Sequence, residues 1–242
     1  MQKIFATSVA AAVLAAASTH FLLTWQQISS TDLGKISASS TAAGHLRDSK
    51  SVSSIVNPNK HISRWSRRSI EVNIAKGISD EEILARYVKG FFGGYVLAPE
   101  RAILRTLRLN IIQSDKLEKL NACPPIWSAS QISSKTLPPL HTVLFSAFQV
   151  VDIHIEEPSP RSQKTHSCVD FAFGSDTFYI AGVHRFSVWR NAGVSESVKM
   201  EYSDTAFNPK AKQTLPSQTV WSFHLVYAMV LFREAVARVM RN

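Results

Sequence analysis

The sequence predicts an α+β fold in which a curved antiparallel sheet packs on a long C-terminal helix and is preceded by N-terminal helices. Three observations lead to this prediction: helical periodicity before residue 110, single-sided alternation of apolar residues between residues 151 and 202, and an amphipathic stretch at the C-terminus. This order of elements is typical of the helix-grip or START-like arrangement.

The first helices are marked by their end signals. Ser79 stands three residues before Glu82, and apolar residues at helical spacing follow, which is the capping-box pattern of a helix start. We expect that helix to end at the glycine pair 93–94. A second helix is expected from Pro99 to about residue 110, because the missing N–H of proline is harmless in a first turn.

The second half of the chain alternates apolar and polar residues with a period of two, as half-buried strands do. Short connections that contain Gly174 and Gly193 favour antiparallel neighbours, because a parallel pair needs a crossover of about a dozen residues or more. The residues on the predicted inward faces are Val151, Ile153 and Ile155; Val169, Phe171 and Phe173; His184, Phe186 and Val188; and Val198, Met200 and Tyr202.

The chain ends in a predicted helix from about Ser217 to Met240. Charged residues such as Glu234 lie opposite its apolar stripe. The segment from Val220 to Phe232 is apolar on all sides and too short to cross a bilayer, so we expect it to be buried on several sides. The stripe consists of Trp221, Leu225, Ala228, Met229, Phe232, Val236 and Val239.

The N-terminal quarter differs in composition from the rest. Residues 1–25 form an Ala-rich apolar run, which fits a cleaved signal peptide, a mitochondrial presequence or an uncleaved signal anchor. Because Trp25 ends the run with an interfacial aromatic, a single-pass N-terminal membrane anchor is favoured. Residues 26–69 have few large apolar side chains, so we expect a disordered linker. The α+β domain then covers residues 70–242.

Composition argues against several classes of function. The net charge is +9, but the basic residues crowd between Lys60 and Lys76 without the glycine and aromatic spacing of an RNA-binding sheet, so no nucleic-acid partner is expected. Cys123 and Cys168 permit at most one disulfide and form no Cys-x-x-Cys pair. The sequence has no phosphate-binding loop, dinucleotide fingerprint or Gly-x-Ser-x-Gly elbow, and we expect neither a metal nor a cofactor.

His184 and Tyr202 are the polar residues that alternation places on buried strand faces. A buried histidine or tyrosine must find a hydrogen-bond partner or lose about 1–3 kcal/mol. In a pocket, His184 would act as a general base or orient a ligand carbonyl, and Tyr202 would donate to a developing oxyanion. A histidine bonded to a core carbonyl is the structural alternative. The residues expected to contact a ligand are Phe171, Phe173, Phe186, Met200, Trp221, His224 and Phe232.

Three short motifs and the terminal helix carry a resemblance to known proteins. The motifs are Phe171-Ala172-Phe173-Gly174-Ser175, the strand segment 182–188 and Ser203-Asp204-Thr205-Ala206. Over about residues 82–241 the chain resembles the DUF1990 family of uncharacterised proteins. The family has paired glutamates where this chain has Val183 and His184, and Arg-Pro where this chain has Asp204-Thr205. The resemblance implies the fold, because the family has no agreed activity. Residues 90–94 and 98–101 are similar to a group of fungal hypothetical proteins.

Together these features predict a membrane-tethered or secretory-pathway domain that binds a hydrophobic small molecule between the sheet and the last helix. One alternative is a cofactor-independent enzyme, such as a cyclase, isomerase or dehydratase of fungal secondary-metabolite biosynthesis. Another is a structural or protein-interaction module that docks a partner through the segment Val220–Phe232. The sequence leaves the oligomeric state and the ligand open.

Overall fold

A computed structural model shows a mixed helix and sheet fold with a seven-stranded antiparallel sheet and a C-terminal helix. It describes residues 2–113, 117, 123–157, 164–191, 196–215 and 217–241, with the backbone alone for residues 2–14. The expected turn at Gly193 lies outside the described residues.

The helices alternate with groups of strands along the chain. The helices are α1 (Gln2–Ser29), α2 (Gly44–Arg47), α3 (Asp80–Gly93), α4 (Ala98–Leu107) and α5 (Gln218–Met240). The strands are β1 (Ser37–Ser39), β2 (Ser63–Asn73), β3 (Val143–Leu144), β4 (Phe148–His154), β5 (Lys164–Gly174), β6 (Ala181–Asn191) and β7 (Ser197–Phe207). Across the sheet the order is β1-β2-β7-β6-β5-β4-β3, and every neighbouring pair is antiparallel.

The predicted helix ends are confirmed where the cap residues are described. The Ser79 hydroxyl oxygen accepts a hydrogen bond from the backbone N–H of Glu82 at 3.2 Å, and α3 ends at Gly93. At the start of α5, the Ser217 hydroxyl accepts from the backbone N–H of Val220 at 3.1 Å. Each cap satisfies a donor that the first helical turn leaves without a partner.

The order of elements differs from the expected one, because β2 precedes α3. Residues 26–69, predicted to be a disordered linker, contain β1 and the first part of β2. β2 pairs with β7 over its full length, from Ser63 opposite Phe207 to Asn73 opposite Ser197. Backbone hydrogen bonds to a neighbouring strand therefore compensate for the small number of apolar side chains in this segment. The composition of the segment does not reveal such bonds.

The sheet is covered on both faces. Its inner face, which carries Phe171, Phe186 and Tyr202, packs against α3 and α5. Its outer face carries Val183, which packs under residues 43–56 around the buried Leu46.

A bulge in β4 changes the predicted inward face of that strand. The register with β5 shifts between Val150 and Asp152. Val150 and Ile153 therefore reach the main core, whereas Val151 joins a smaller outer cluster and Ile155 is exposed. A bulge inserts one residue and reverses the alternation beyond it. The prediction that Val151, Ile153 and Ile155 share the inward face was therefore wrong.

α3 packs between α5 and the sheet in the main core. The Phe92 ring lies 4.9 Å from that of Phe171, and the Phe91 ring lies 4.9 Å from that of Phe186. On the other side of α3, a Cβ added to Gly90 would lie 2.7 Å from the Cα of Ala235. The missing side chain at Gly90 thus lets α3 and α5 touch through their backbones.

The expectation of an N-terminal membrane anchor is wrong. Among the described residues, the one helix long and apolar enough to cross a membrane is α5, at the C-terminus. The end of α1 instead packs on α5, where Ile28 is buried, the Thr31 hydroxyl donates to the Arg233 carbonyl at 2.9 Å, and Arg233 Nε donates to the Thr31 carbonyl at 3.1 Å.

The two halves of α5 are buried differently from the expected pattern. Val220, Phe223 and Val226 are exposed, although burial on several sides was predicted. Glu234 was predicted on the solvent face and is buried instead. Its carboxylate accepts hydrogen bonds from the backbone N–H groups of Tyr95 and Val96 at 2.5 and 2.9 Å. The carboxylate therefore anchors the connection between α3 and α4 to α5.

Replacement of Gly90 by Ala should destabilise the fold, because the added methyl group meets backbone that cannot move aside cheaply. We expect Gly90→Ala to lower the free energy of unfolding by about 1–3 kcal/mol in urea titrations. Gly93→Ala is the matched control on the same helix, since its Cβ would lie 3.4 Å from the Ala129 Cβ, close to ordinary contact. Equal stability of the two variants would contradict the close approach of α3 and α5.

Candidate functional site

An apolar cavity of about 400 Å³ lies between the inner face of the sheet and the helices α3, α4 and α5. This volume falls within the range of small-molecule sites, about 300–1,000 Å³. Its walls are predominantly apolar, with a few polar side chains. The apolar lining residues are Phe91, Leu97, Ile103, Leu104, Leu109, Ile111, Ala147, Phe148, Phe173, Phe178, Ile180, Ala228 and Leu231, and the polar ones are Glu100, His184, Tyr202, His224 and Tyr227.

His184 and Tyr202 form a buried pair in the wall of the cavity. The Tyr202 hydroxyl lies 2.7 Å from His184 Nδ1, and the His184 ring stacks on Phe173 with their centroids 4.4 Å apart. Burial lowers the pKa of His184 to about 3, so the imidazole is neutral at ordinary pH. Burial also raises the pKa of Tyr202 well above its usual value, so the phenol keeps its proton.

Asp204 lies beside this pair and is fully buried. Its Oδ2 lies 2.8 Å from His224 Nε2, and its Oδ1 accepts a hydrogen bond from the Ser66 hydroxyl. Arg68 lies 3.8 Å from Oδ1 and donates to Ser66 at 2.8 Å. Burial by itself would raise the pKa of Asp204, but the hydrogen bonds and charges around it lower the pKa below its usual value. The carboxylate is therefore ionised inside the protein.

The register of three strands explains why these polar groups meet. Asp204 on β7 is paired with Ser66 on β2 and with His184 on β6. Side chains that are directly opposite in an antiparallel pair share one face, so all three point to the inner face. Tyr202 lies on the same face as Asp204, because side chains two positions apart along a strand point to the same side of the sheet.

A second polar pair lies in the helical wall. The Tyr227 hydroxyl on α5 donates a hydrogen bond to the Glu100 carboxylate on α4. Burial and the neighbouring carboxylate raise the pKa of Tyr227 above its usual value. The cavity thus has a polar contact on its helical side as well as on its sheet side.

The structure separates the predicted ligand residues into three groups. Phe173 and His224 line the cavity together with His184 and Tyr202. Trp221 packs in a small cluster with Ala206 and Leu215, and its ring stacks on His224 with a centroid distance of 4.9 Å. The others pack in the close-packed core away from the cavity: Phe171, Phe186, Met200 and Phe232.

Sequence reasoning missed Asp204, Ser66, Glu100 and Tyr227. Alternation could have pointed to Asp204, which follows Tyr202 by two residues and so shares its face. Ser66 lay in the segment predicted to be a linker. Glu100 and Tyr227 lie on different helices, and the sequence holds no signal that brings them together.

Metal-ligating side chains form no cluster in the described part of the chain. In the part of the chain that the structure describes, no three His, Cys, Asp or Glu side chains come together as metal ligands. Cys123 and Cys168 are both free thiols, and burial raises the pKa of Cys168 to about 12. That thiol is therefore protonated and unreactive at ordinary pH.

Comparison with known proteins leaves the family open. No protein family and no curated protein matches the chain. Among solved structures, the chain is similar to a hypothetical protein from Helicobacter pylori, with 13% sequence identity, 82% of this chain and 98% of that chain covered, and a TM-score of 0.33. This likeness supports no conclusion about fold or function. The resemblance to the DUF1990 family remains a prediction.

The neutral state of His184 should make stability depend on pH. Because its folded pKa of about 3 lies below its ordinary value of 6.5, the unfolded chain binds a proton that the folded chain does not. Stability is then fully present above pH 6.5 and falls as the pH drops toward 3. At about 1.4 kcal/mol for each pH unit, the loss is about 3–5 kcal/mol.

Urea unfolding at a series of pH values would measure this loss. In His184→Asn, the amide oxygen can still accept from Tyr202 but does not titrate, so the loss should be smaller. His166, whose pKa burial lowers to about 4, contributes equally in both proteins. The same pH dependence in the variant and the natural chain would show that His184 is not held neutral by the fold.

Proposed function

We propose that this protein binds an apolar small molecule that carries an oxygen acceptor, in the cavity between the sheet and the helices. The observation behind the proposal is an apolar space of about 400 Å³ with the His184–Tyr202 pair in its wall. Its apolar walls stay in contact with water unless a ligand covers them, and covering apolar surface is favourable by roughly 25 cal/mol per Å².

The polar groups limit what the ligand can be. Tyr202 keeps its proton and has His184 Nδ1 as its hydrogen-bond partner, so we assign the hydroxyl as the donor. The neutral ring then carries its own proton on Nε2, which is a donor and not an acceptor. A carbonyl or ether oxygen matches this donor. A carboxylic acid is less suitable, since Asp204 and Glu100 would repel its charge.

The cavity has an opening through which a ligand could exchange. Ile103 on α4 and Phe178 in the turn between β5 and β6 both line the cavity, yet they are 54% and 58% exposed to solvent. Exposed apolar side chains around an apolar cavity are typical of a ligand-binding mouth.

The proposal extends to the fold family. A helix-grip or START-like arrangement, in which a sheet and a long helix enclose an apolar ligand, is consistent with seven antiparallel strands and the closing helix α5. One departure is that α3 also lies on the inner face, so two helices and not one cover the sheet.

A charge placed at the mouth should weaken binding. We expect Ile103→Asp to raise the Kd for the neutral fluorescent ketone 6-propionyl-2-dimethylaminonaphthalene about tenfold or more, because a carboxylate would have to lose water beside the bound apolar molecule. Fluorescence titration measures this. Leu107→Asp is the matched control, since Leu107 is 60% exposed on the same helix and does not line the cavity.

Two results would overturn the proposal. One is a probe that does not bind the natural chain at all. The other is a Kd that Ile103→Asp and Leu107→Asp change equally, which would place the probe elsewhere on the surface. Thermal unfolding of both variants should stay close to that of the natural chain, because exposed substitutions usually change stability by about 0.5 kcal/mol or less.

A further inference from the structure

We propose that the cavity is also a proton-transfer site, in which His224 removes a proton from the carbon beside the carbonyl group of a bound apolar ketone while His184 donates a hydrogen bond to the carbonyl oxygen. This inference rests on the proposed function, because the ketone must first enter the cavity. It adds a chemical step to ligand binding. It also gives His224 and Asp204 roles that ligand binding alone does not require.

The contact between His224 and Asp204 sets the protonation of the His224 ring. Nε2 of His224 lies 2.8 Å from Oδ2 of Asp204, which is ionised and can only accept. The proton of the neutral ring therefore lies on Nε2, and Nδ1 has a free lone pair. A carboxylate behind a histidine also stabilises the imidazolium that forms when the ring takes up a proton.

Asp204 is itself held in place from three sides. Ser66 donates to its other oxygen, and Arg68 donates to Ser66 and lies close to the carboxylate. Arg68 also donates to the backbone carbonyl of Leu225 at 2.7 Å, which ties β2 to α5 directly beside His224. Asp204 acts through His224, so it is a positioning residue and not a group that contacts the substrate.

His184 supplies the complementary group. Its Nδ1 is occupied by Tyr202, so it has no free lone pair for a proton and cannot serve as the base. Its Nε2–H can stabilise the charge that develops on a carbonyl oxygen. The roles expected from the sequence therefore change: His184 becomes the oxygen donor, His224 the base, and Tyr202 the group that fixes the His184 ring.

The step balances without a co-reactant. His224 Nδ1 takes the proton as the C–H bond breaks, and the electron pair of that bond forms a C=C bond while the carbonyl π electrons move to oxygen. The resulting enolate oxygen accepts from His184. The imidazolium then returns the proton to the same carbon, or to the γ-carbon when the ketone has a β,γ double bond, which gives the conjugated isomer. Nothing is oxidised or reduced.

Exchange of hydrogen for deuterium in 2-tetralone tests the step. This ketone is apolar and small enough for the cavity, and loss of its C1 proton signal in D₂O, followed by ¹H NMR, reports enolate formation. The full chain should accelerate the exchange above the buffer rate. His224→Gln should reduce the enzymatic rate about 10²-fold or more, because a positioned general base contributes about 10²–10⁴.

His224→Gln is chosen because the glutamine amide can still donate to Asp204, which keeps the buried carboxylate paired. The Kd for 2-tetralone, measured by displacement of 6-propionyl-2-dimethylaminonaphthalene, should change by less than about threefold. His154→Gln is the matched control, since His154 is an exposed histidine at the end of β4, away from the cavity. It should leave both the rate and the Kd unchanged.

A test of Asp204 must distinguish a positioning role from a purely structural one. Asp204→Asn should lower the saturated exchange rate and leave the half-saturating ketone concentration nearly unchanged, and Asp204→Glu should recover part of the rate. If these variants unfold, His224→Gln still decides the inference.

The outcomes separate this inference from the proposed function. If 2-tetralone displaces the probe but exchanges at the buffer rate, or if His224→Gln exchanges as fast as the natural chain, the proton-transfer inference is overturned and ligand binding stands. If neither 2-tetralone nor the probe binds, both proposals fall.

Discussion

The ionised carboxylate of Asp204 is the constraint on which the site depends. Removal of a charge from water costs several kcal/mol unless hydrogen bonds and opposite charges replace the lost hydration. Asp204 obtains these partners from two other elements: Ser66 and Arg68 on β2, and His224 on α5. Because the carboxylate sits on β7, satisfying it joins two strands and the last helix at the cavity. The hydrogen bonds that Asp204 needs therefore also fix the relative positions of the elements around the cavity.

A second buried ion pair plays the corresponding part on the outer face. Arg185 donates to both oxygens of Asp170 at 2.7 Å, and it also donates to the backbone carbonyl of His45. His45 in turn lies 3.1 Å from Glu201. These contacts explain how residues 43–56 cover the sheet although few of these residues are apolar. The segment supplies hydrogen-bond partners for charged side chains that the strands bury.

Core packing decides where the cavity lies. α3 inserts Phe91 and Phe92 between the sheet and α5, and these rings fill the space over Phe171 and Phe186. Dense aromatic contacts leave no room for a ligand there. The open space remains at the end of the inner face where His184, Phe173 and the turn after β5 meet α4. The part of the inner face that α3 covers thus belongs to the core. The part that α3 leaves uncovered lines the cavity.

The sequence by itself determined the local features: the Ser79 cap, the start of α5 near Ser217, the end of α3 at Gly93, the apolar inner faces of strands β5 to β7, and the burial of His184 and Tyr202. These follow from nearest-neighbour sterics and from the periods of helix and strand, which a short stretch of residues records. Only the tertiary structure decided that β2 joins β7, that Asp204 faces His224, and which aromatic residues line the cavity. Such pairings join residues far apart in the chain, and their free energy comes from desolvation and packing that no single segment carries.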